Sequence, residues 1–308
     1  MNKLYRFIKD PDYRFLVLAA KGFYNHMSDR EYLLKTYRIR MGKELHIDDP
    51  VTYNEKIQWL KLYDRKQIYT TMVDKYEVKQ YVSKIIGEQH VIPTIGVWNR
   101  FDDINFDELP NQFVLKCTHD SGGIVICKDK KNFDIKEARN KINRSLKTNY
   151  YWYGREWPYK DVRPRIIAEK YMQNKETEDL KDFKVFTFNG KAKALFVATD
   201  RQSVNEETKF DFYDIHFNHL PLKNGHPNSE RKIDKPVTFD EMIQLAEKLS
   251  AGIPHLRVDF YEVDGEVYFG ELTFSHWSGF VPFNPEKWDY IFGSWITLPS
   301  KDEVSKHF

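Results

Sequence analysis

Cysteine is nearly absent from this 308-residue chain, and the two present, Cys117 and Cys127, lack CxxC spacing. Neither a disulfide scaffold nor a zinc ribbon is supported, and a reducing compartment, the cytoplasm, is the simpler expectation. A charge excess is missing too: 48 Lys and Arg against 46 Asp and Glu leave a formal net charge of +2. Such a surface as a whole is no electrostatic magnet for nucleic acid or membrane. No long apolar run occurs. Phe15-Leu-Val-Leu-Ala-Ala20 follows Asp10, Asp12 and Arg14 and ends at Lys21, far short of the roughly 18 residues of a spanning helix. The chain also lacks GxxxxGK[ST], HExxH and GxSxG, which argues against a P-loop, a zinc hydrolase and a nucleophile elbow. There is no internal repeat, low-complexity tract or heptad pattern.

What the chain does carry is LRVDFYEVDGEVYFGELT, residues 256–273. Val258 and Phe260 alternate with Arg257, Asp259 and Tyr261, and Val267 and Phe269 with Tyr268 and Gly270, around an Asp264-Gly265 turn. The alternation predicts a β-hairpin. A three-residue loop with a glycine bulge puts Arg257, Asp259 and Glu271 on one face: two hard oxygen ligands beside a fixed cation, suited to Mg²⁺ carrying a polyphosphate. A strict two-residue turn splits the carboxylates between faces. Upstream, residues 113–127 predict a second hairpin, with Lys116 projecting opposite Phe113, Leu115 and Cys117. Its turn, Ser121-Gly122-Gly123, lacks bulk and can bring backbone N–H groups to an anion. Each feature alone has an ordinary reading: an Arg–carboxylate pair on a solvated face, a surface lysine, a plain turn. Together they point to nucleotide phosphate.

Further segments lie in order along the chain: Asn54-Glu-Lys-Ile-Gln-Trp-Leu-Lys-Leu-Tyr-Asp64, Val73-Asp-Lys-Tyr76, Phe113-Val-Leu-Lys116 with Ser121-Gly-Gly123, Tyr153-Gly-Arg-Glu-Trp-Pro158, Ile166-Ile-Ala-Glu-Lys-Tyr171, Asp182-Phe-Lys-Val185, and Arg257-Val-Asp-Phe260 with Gly270-Glu-Leu-Thr-Phe274. From Pro50 to Pro299 the chain thereby resembles the ATP-grasp enzymes, in the TupA-like branch named after teichuronopeptide biosynthesis. The resemblance implies an α+β ATP-grasp fold, with nucleotide held between two antiparallel-sheet-containing lobes, and a helical N-terminal extension. It implies an ADP- and phosphate-forming ligase that activates a carboxylate as an acyl phosphate and passes it to an amine, in surface-polysaccharide or cell-envelope precursor synthesis. The cofactors implied are ATP and Mg²⁺. Carried over by motif, Lys116 contacts phosphate, Ser121, Gly122 and Gly123 form the loop over the triphosphate, and Glu169, Lys170, Tyr171 and Met172 form the hinge beside adenine. Lys184 is a second phosphate or acyl-phosphate contact with a catalytic role, and Asp259 and Glu271 are the metal ligands. Arg257 is then the best-placed permanent cation for the tetrahedral oxyanion. Two departures stand out: Glu271-Leu-Thr273 replaces the Glu-x-Asn of many ATP-grasp enzymes, and Ser275-His-Trp-Ser-Gly279 replaces the Pro-Gly-Ser-Gly expected of this branch. The implied partners are a carboxylate donor and an amine acceptor, with a glycan or lipid-linked precursor among the candidates, and no nucleic acid.

The chain divides, in expectation, into a helical extension at 1–50, a region at 51–112 preceding the ATP-grasp core, a small lobe at 113–175 and a large, metal-binding lobe at 176–308. Residues 1–48 read as two or three amphipathic helices packed on the main body. Peripheral membrane contact aided by Lys3, Arg6, Lys9 and Lys21 is the minority reading. Helical spacing covers 53–63 and runs without a break over 69–86 to Gly87. Strands are expected at 166–169, 183–188 and 192–198, the last two around Asn189-Gly190, and a long polar loop at 202–235. Thr238 is the expected cap of a helix ending at Leu249. His119 and His276 are candidate proton relays, each with a plain packing role open beside it. Two other classes compete: a glycosyltransferase, for which Asp102-Asp103 and Asp211-Phe-Tyr-Asp214 make poor metal motifs, and a non-catalytic carbohydrate-binding protein, which would use the 16% aromatic content.

Overall fold

The computed structural model describes residues 3–175, 180–200, 207–300 and 304. Three helices open the chain: α1 (Lys3–Lys9), α2 (Pro11–Ala20) and α3 (Asp29–Met41). α2 and α3 pack through Phe15, Leu33 and Tyr37 onto Trp59 and Leu62, whereas α1 buries none of its residues. Packing on the body therefore holds for two of the three. No helix among the described residues is long and apolar enough to cross a membrane.

α4 (Tyr53–Tyr63) starts at a complete capping box, Thr52 accepting from the Glu55 N–H while Glu55 accepts from the Thr52 N–H. The stretch expected as one helix is two, α5 (Ile68–Val73) and α6 (Glu77–Ile86). Asp74 explains the break: its Oδ1 accepts from the N–H groups of Tyr76 (2.8 Å) and Glu77 (3.1 Å), a local turn that competes with helix continuation. The break sends Lys75 out of the helical register.

A four-stranded antiparallel sheet follows, in the order β1 (Thr94–Trp98), β4 (Ile166–Lys170), β2 (Phe113–Cys117) and β3 (Ile124–Cys127). Phe113, Leu115 and Cys117 pack with Ala138 and Ile142 of α7 (Ile135–Ser145), leaving Lys116 on the opposite face as its alternation requires. The short α8 (Tyr151–Gly154) lies in the connection to β4. The second sheet has five antiparallel strands, in the order β10 (Glu266–Thr273), β9 (His255–Val263), β5 (Asp182–Phe188), β6 (Lys191–Thr199) and β7 (Lys209–Asp214). β7 corrects the expected long loop: part of 202–235 is a sheet strand, with Asp211 accepting from the Ser229 N–H at 3.1 Å. Residues 202–206 of that stretch lie outside the described residues.

One face of the five-stranded sheet is apolar. Val185, Leu195, Val258, Phe260 and Leu272 pack against α6 and α9 (Phe239–Leu249). Each fully buried side chain of this size contributes about 1.5–3 kcal/mol. Thr238 does not cap α9 with its side chain; its hydroxyl and its N–H both bond the Glu262 carboxylate. The other face carries Phe186, Phe196 and Phe212, covered by α4 and α10 (Lys287–Trp295) after the two-residue pairing of β8 (Lys223–Asn224) with β11 (Phe283–Asn284). One end of that same face is charged.

Candidate functional site

The charged end is built by register. The hairpin turn has only two residues, Asp264 (φ 53°) and Gly265 (φ 81°), between the paired Val263 and Glu266. Such a turn alone would set Glu271 on the opposite face from Asp259. The register shifts between Phe269 and Glu271, so Gly270 is the extra residue of a bulge and Glu271 pairs directly with Asp259, Thr273 with Arg257. The bulge is thus in the strand, where the expectation had it in the loop, and it restores the shared face. Across β9, Asp259 is opposite Lys184 of β5.

The side chains form one ionic network. Arg257 donates through Nε to Asp259 Oδ1 (2.7 Å), and its Nη2 reaches Asp259 Oδ2 (2.9 Å), Glu271 Oε1 (3.1 Å) and Thr273 Oγ1 (2.9 Å). Its Nη1 lies 2.8 Å from His276 Nδ1. Lys184 bridges Asp182 (2.8 Å) and Asp259. Burial alone would raise the Glu271 carboxyl, but Lys75, Lys184 and Arg257 together hold it down to about 2. His276 is held well below the usual imidazole range, by burial first and then by Arg257, so it is neutral at neutral pH and accepts from the guanidinium.

Facing this network, Lys116 ion-pairs with Glu169 Oε2 at 2.5 Å, and Lys79 of α6 pairs with the other Glu169 oxygen while bonding the Ile92 carbonyl (2.6 Å). A narrow cleft between the sheets is lined by Lys75, Lys79, Lys116, Glu169 and Gly270, the residue before Glu271. Lys75 donates to the Asp120 carbonyl at the start of the glycine turn. The turn is fixed by Asp120, whose Oδ1 accepts from the Gly123 N–H at 3.1 Å and whose Oδ2 accepts from Ser145. Gly122 has open space at its Cβ position, whereas a Cβ on Gly123 would lie 2.3 Å from Ser145 Oγ. A wider groove along β3 and α7 contains none of these site residues.

Of the residues singled out from sequence, Arg257, Lys184, Asp259 and Glu271 converge on one face of the five-stranded sheet, and Lys116 and Glu169 share one face of the four-stranded sheet. Lys170 is exposed and Met172 is buried in a small apolar cluster with Ile92 and Val263. His119 is buried with Nε2 3.1 Å from the Ser145 and Thr148 carbonyls, where it ties the glycine turn to the end of α7. Lys75, Lys79, Asp182 and the buried Glu156 lie beyond the site residues expected from sequence. Lys75, Asp182 and Glu156 stand inside the ordered motifs, and the Asp74 turn signal is the available clue to Lys75.

Among the described residues no three acidic, histidine or cysteine groups converge into a complete metal cage. Mg²⁺ characteristically needs only one or two protein carboxylates when phosphates supply the rest. Asp259, Glu271 and the Thr273 hydroxyl are hard oxygen donors of that kind.

Family membership follows from the sequence as a whole: a TupA-like ATP-grasp family model matches residues 55–297, and the chain belongs to that family. Its fold is accordingly the ATP-grasp fold, with mixed helices and antiparallel sheets and a helical N-terminal segment. No curated protein matches the sequence. Among solved structures, the D-alanine–D-alanine ligase of Helicobacter pylori is similar at 14% identity and a TM-score of 0.44, over 80% of this chain and 69% of that one. The D-alanine–D-alanine ligase of Bacillus anthracis complexed with ATP gives 16% and 0.37, over 66% and 53%. An N5-carboxyaminoimidazole synthase of Aspergillus clavatus in complex with ADP gives 15% and 0.38, over 68% and 46%. The chain spans about half the length of the Bacillus anthracis enzyme, and similarities this distant assign no substrate.

Proposed function

We propose that this protein is an ATP-dependent carboxylate–amine ligase working through an acyl phosphate, with the four-stranded sheet as the small lobe and the five-stranded sheet as the large one. The observation that carries the reading is a cleft lined by Lys75, Lys79, Lys116 and Glu169 that reaches Gly270, the neighbour of Glu271, whose carboxyl Lys75 helps to hold down and which joins the network of Arg257, Asp259 and Lys184. Carboxylate attack on the γ-phosphate brings two anions together, so fixed cations must stabilise the charge that develops. Lys116 and Lys75 serve the inner phosphates and the glycine turn closes over them. Glu169 to Met172 border the adenine, where Glu169 holds Lys116 in position. Lys184 contacts the transferring phosphoryl group. Asp259 and Glu271, with Thr273 in place of the usual amide, would hold magnesium, whose charge offsets that of the phosphates. Arg257, permanently charged and locked by four partners, stabilises the oxyanion formed when the amine attacks.

The donor and acceptor are read as envelope or surface-polysaccharide precursors, in the cytoplasm. The test supplies ATP, Mg²⁺ and panels of amino acids and uronic acids, with hydroxylamine replacing the amine. Hydroxamate together with ADP and phosphate supports the reading. Release of AMP and pyrophosphate indicates adenylation instead, and transfer from a sugar nucleotide without ATP consumption overturns it.

A further inference from the structure

The ordered motif Tyr153-Gly-Arg-Glu-Trp-Pro158 has no part in the chemistry derived so far, yet it delivers a buried carboxylate. Glu156 is 4% exposed, and no ion pair among the described residues includes it. Such a group is costly unless a charge meets it. The backbone that carries it is held in an uncommon conformation: Arg155, the preceding residue, is left-handed (φ 54°). Left-handed residues other than glycine persist where the surroundings enforce them, commonly at ligand sites. Here the Arg155 side chain is 1% exposed, its Nη2 donates to the Tyr24 carbonyl at 2.8 Å, and its guanidinium lies over the Tyr32 and Trp152 rings at 4.5 and 4.6 Å.

Polar groups surround the carboxylate. A Cβ on Gly154 would collide with Ser278 Oγ and lie 3.3 Å from Glu156 Oε1, so the missing side chain lets these two groups come together, and the Ser278 hydroxyl bonds the carboxylate. Lys61 of α4, also buried, donates to that hydroxyl and to Gln58 Oε1, each at 2.9 Å. Glu156 is the group that acts most strongly on the half-buried Tyr150 phenol, pushing it up, while Tyr150 bonds Ser121 of the glycine turn and packs on the Tyr159 ring at 4.9 Å. Among the charges, Lys61 acts most on Glu156, followed by Arg257 and Glu271. The carboxylate therefore borders the Arg257 and Glu271 network, between the glycine turn and residues 275–279. Burial outweighs the two cations and pushes it above the usual carboxylate range, toward the range in which a base works at neutral pH.

We infer that Glu156 is the general base that takes a proton from the acceptor ammonium, with the Ser278 hydroxyl orienting its carboxylate. The inference rests on the ligase reading and adds to it the residue that generates the nucleophile. The ammonium supplies the direct charge partner that the carboxylate lacks within the protein. Its N–H bond breaks as the Glu156 O–H bond forms, and the freed lone pair attacks the acyl carbon. The carbon–oxygen bond to phosphate then breaks, and the second ammonium proton leaves with the phosphate. Glu156 releases its own proton to water.

The experiment supplies ATP, Mg²⁺ and the carboxylate panel, with hydroxylamine or methylamine as nucleophile, to the wild type and to Glu156→Gln, which keeps the shape and loses the basicity. Hydroxylamine is largely unprotonated at neutral pH and needs no base, whereas methylamine is protonated and does. The wild type should take both. The variant should keep hydroxamate formation within about twofold and lose methylamide formation by about a hundredfold or more, the remainder rising about tenfold per pH unit as free amine accumulates. Ser278→Ala should show the same selectivity to a smaller degree, and the nucleotide-induced rise in melting temperature reports that each variant is folded. Parallel loss of both products in the folded variants gives Glu156 a structural role and overturns the inference. So does methylamide formation unchanged in Glu156→Gln, or a wild type that forms hydroxamate but no methylamide. Absence of hydroxamate from the wild type with every donor instead overturns the ligase reading, and the inference with it.

Discussion

Asp259 and Glu271 sit opposite each other and share Arg257, yet neutralising them should have unequal consequences for stability. Asp259 is 1% exposed and accepts two bonds from Arg257 and one from Lys184, whereas the Glu271 side chain is 40% exposed and accepts a single Arg257 bond at 3.1 Å. Removing one partner of a buried ion pair costs about 3–5 kcal/mol because it leaves uncompensated charge. In Asp259→Asn the cations keep Asp182, Glu271 and Thr273 as partners, so a cost just below that range, about 2–3 kcal/mol, is expected. For a chain of this size that is a fall in Tm of roughly 4–10 °C. Glu271→Gln should cost less, about 1 kcal/mol, because solvent reaches its half-buried carboxylate and screens the cations that hold it ionised. Both should nearly abolish ATP turnover, because amides bind Mg²⁺ poorly. Calorimetry with and without MgATP, alongside ADP release, makes the test. Equal Tm losses, or turnover surviving in either variant, would refute the division of labour between a buried structural ligand and an exposed one.

Lys116→Ala should weaken MgATP binding measured by calorimetric titration without lowering Tm by more than a few degrees; unchanged affinity would make Lys116 only a partner of Glu169. Lys75→Ala should weaken nucleotide binding and lift the Glu271 carboxyl from about 2, since Lys75 is the cation that lowers it most, and NMR titration of Glu271 reads this directly. His255 is held down to about 3, by burial before all else and with its ring between Tyr53 and the Thr187 carbonyl. A depressed imidazole leaves the unfolded chain binding the extra proton below about pH 6.5, so stability should fall by about 1.4 kcal/mol per pH unit from there toward pH 3 through this group; denaturant melts of His255→Gln should lose that part of the slope. Gly123→Ala drives a methyl into Ser145 and Cys117, costing about 1–3 kcal/mol and reshaping the glycine turn; a variant with wild-type Tm and nucleotide affinity would show the turn to be pliable.

Period-two and period-3.6 patterns were strong enough to reveal the two hairpins, α4, β5, β6 and the face occupied by Lys116. Local signals failed where a distant partner decides. The 69–86 stretch keeps helical spacing across Asp74, and only the side chain's capping of Tyr76 and Glu77, steadied by Arg165 at 2.8 Å, breaks it. β7 was hidden although Lys209-Phe-Asp-Phe212 alternates, because Lys209, Asp211 and Asp214 make half of this short strand charged and the stretch around it is polar, and pairing with β6 supplies what propensity does not. Thr238 looks like a cap, but Glu262, reached from β9, takes its hydroxyl. The Gly270 bulge is the instructive case: from the turn sequence alone two faces were possible for Glu271, and the deciding residue lies five positions past the turn.

The charges of the site bear on how the proposed nucleotide would be bound. Lys75, Lys79, Lys116, Lys184 and Arg257 bring five positive charges, and Glu169, Asp182, Asp259 and Glu271 bring four negative ones. Had the carboxylates been absent, five cations so close together would repel one another. Their pairing aims each cation, and on the proposed ligase reading phosphate must take Lys116 from Glu169 and the phosphoryl group must take Lys184 from Asp259. On the proposed ligase reading, MgATP, with a net charge near −2, would turn the sum from +1 to about −1, a small change for so many charges. Binding would then be an exchange of partners inside a nearly neutral network. That exchange would favour the transition state, where the phosphoryl oxygens gather charge and compete best for the same donors.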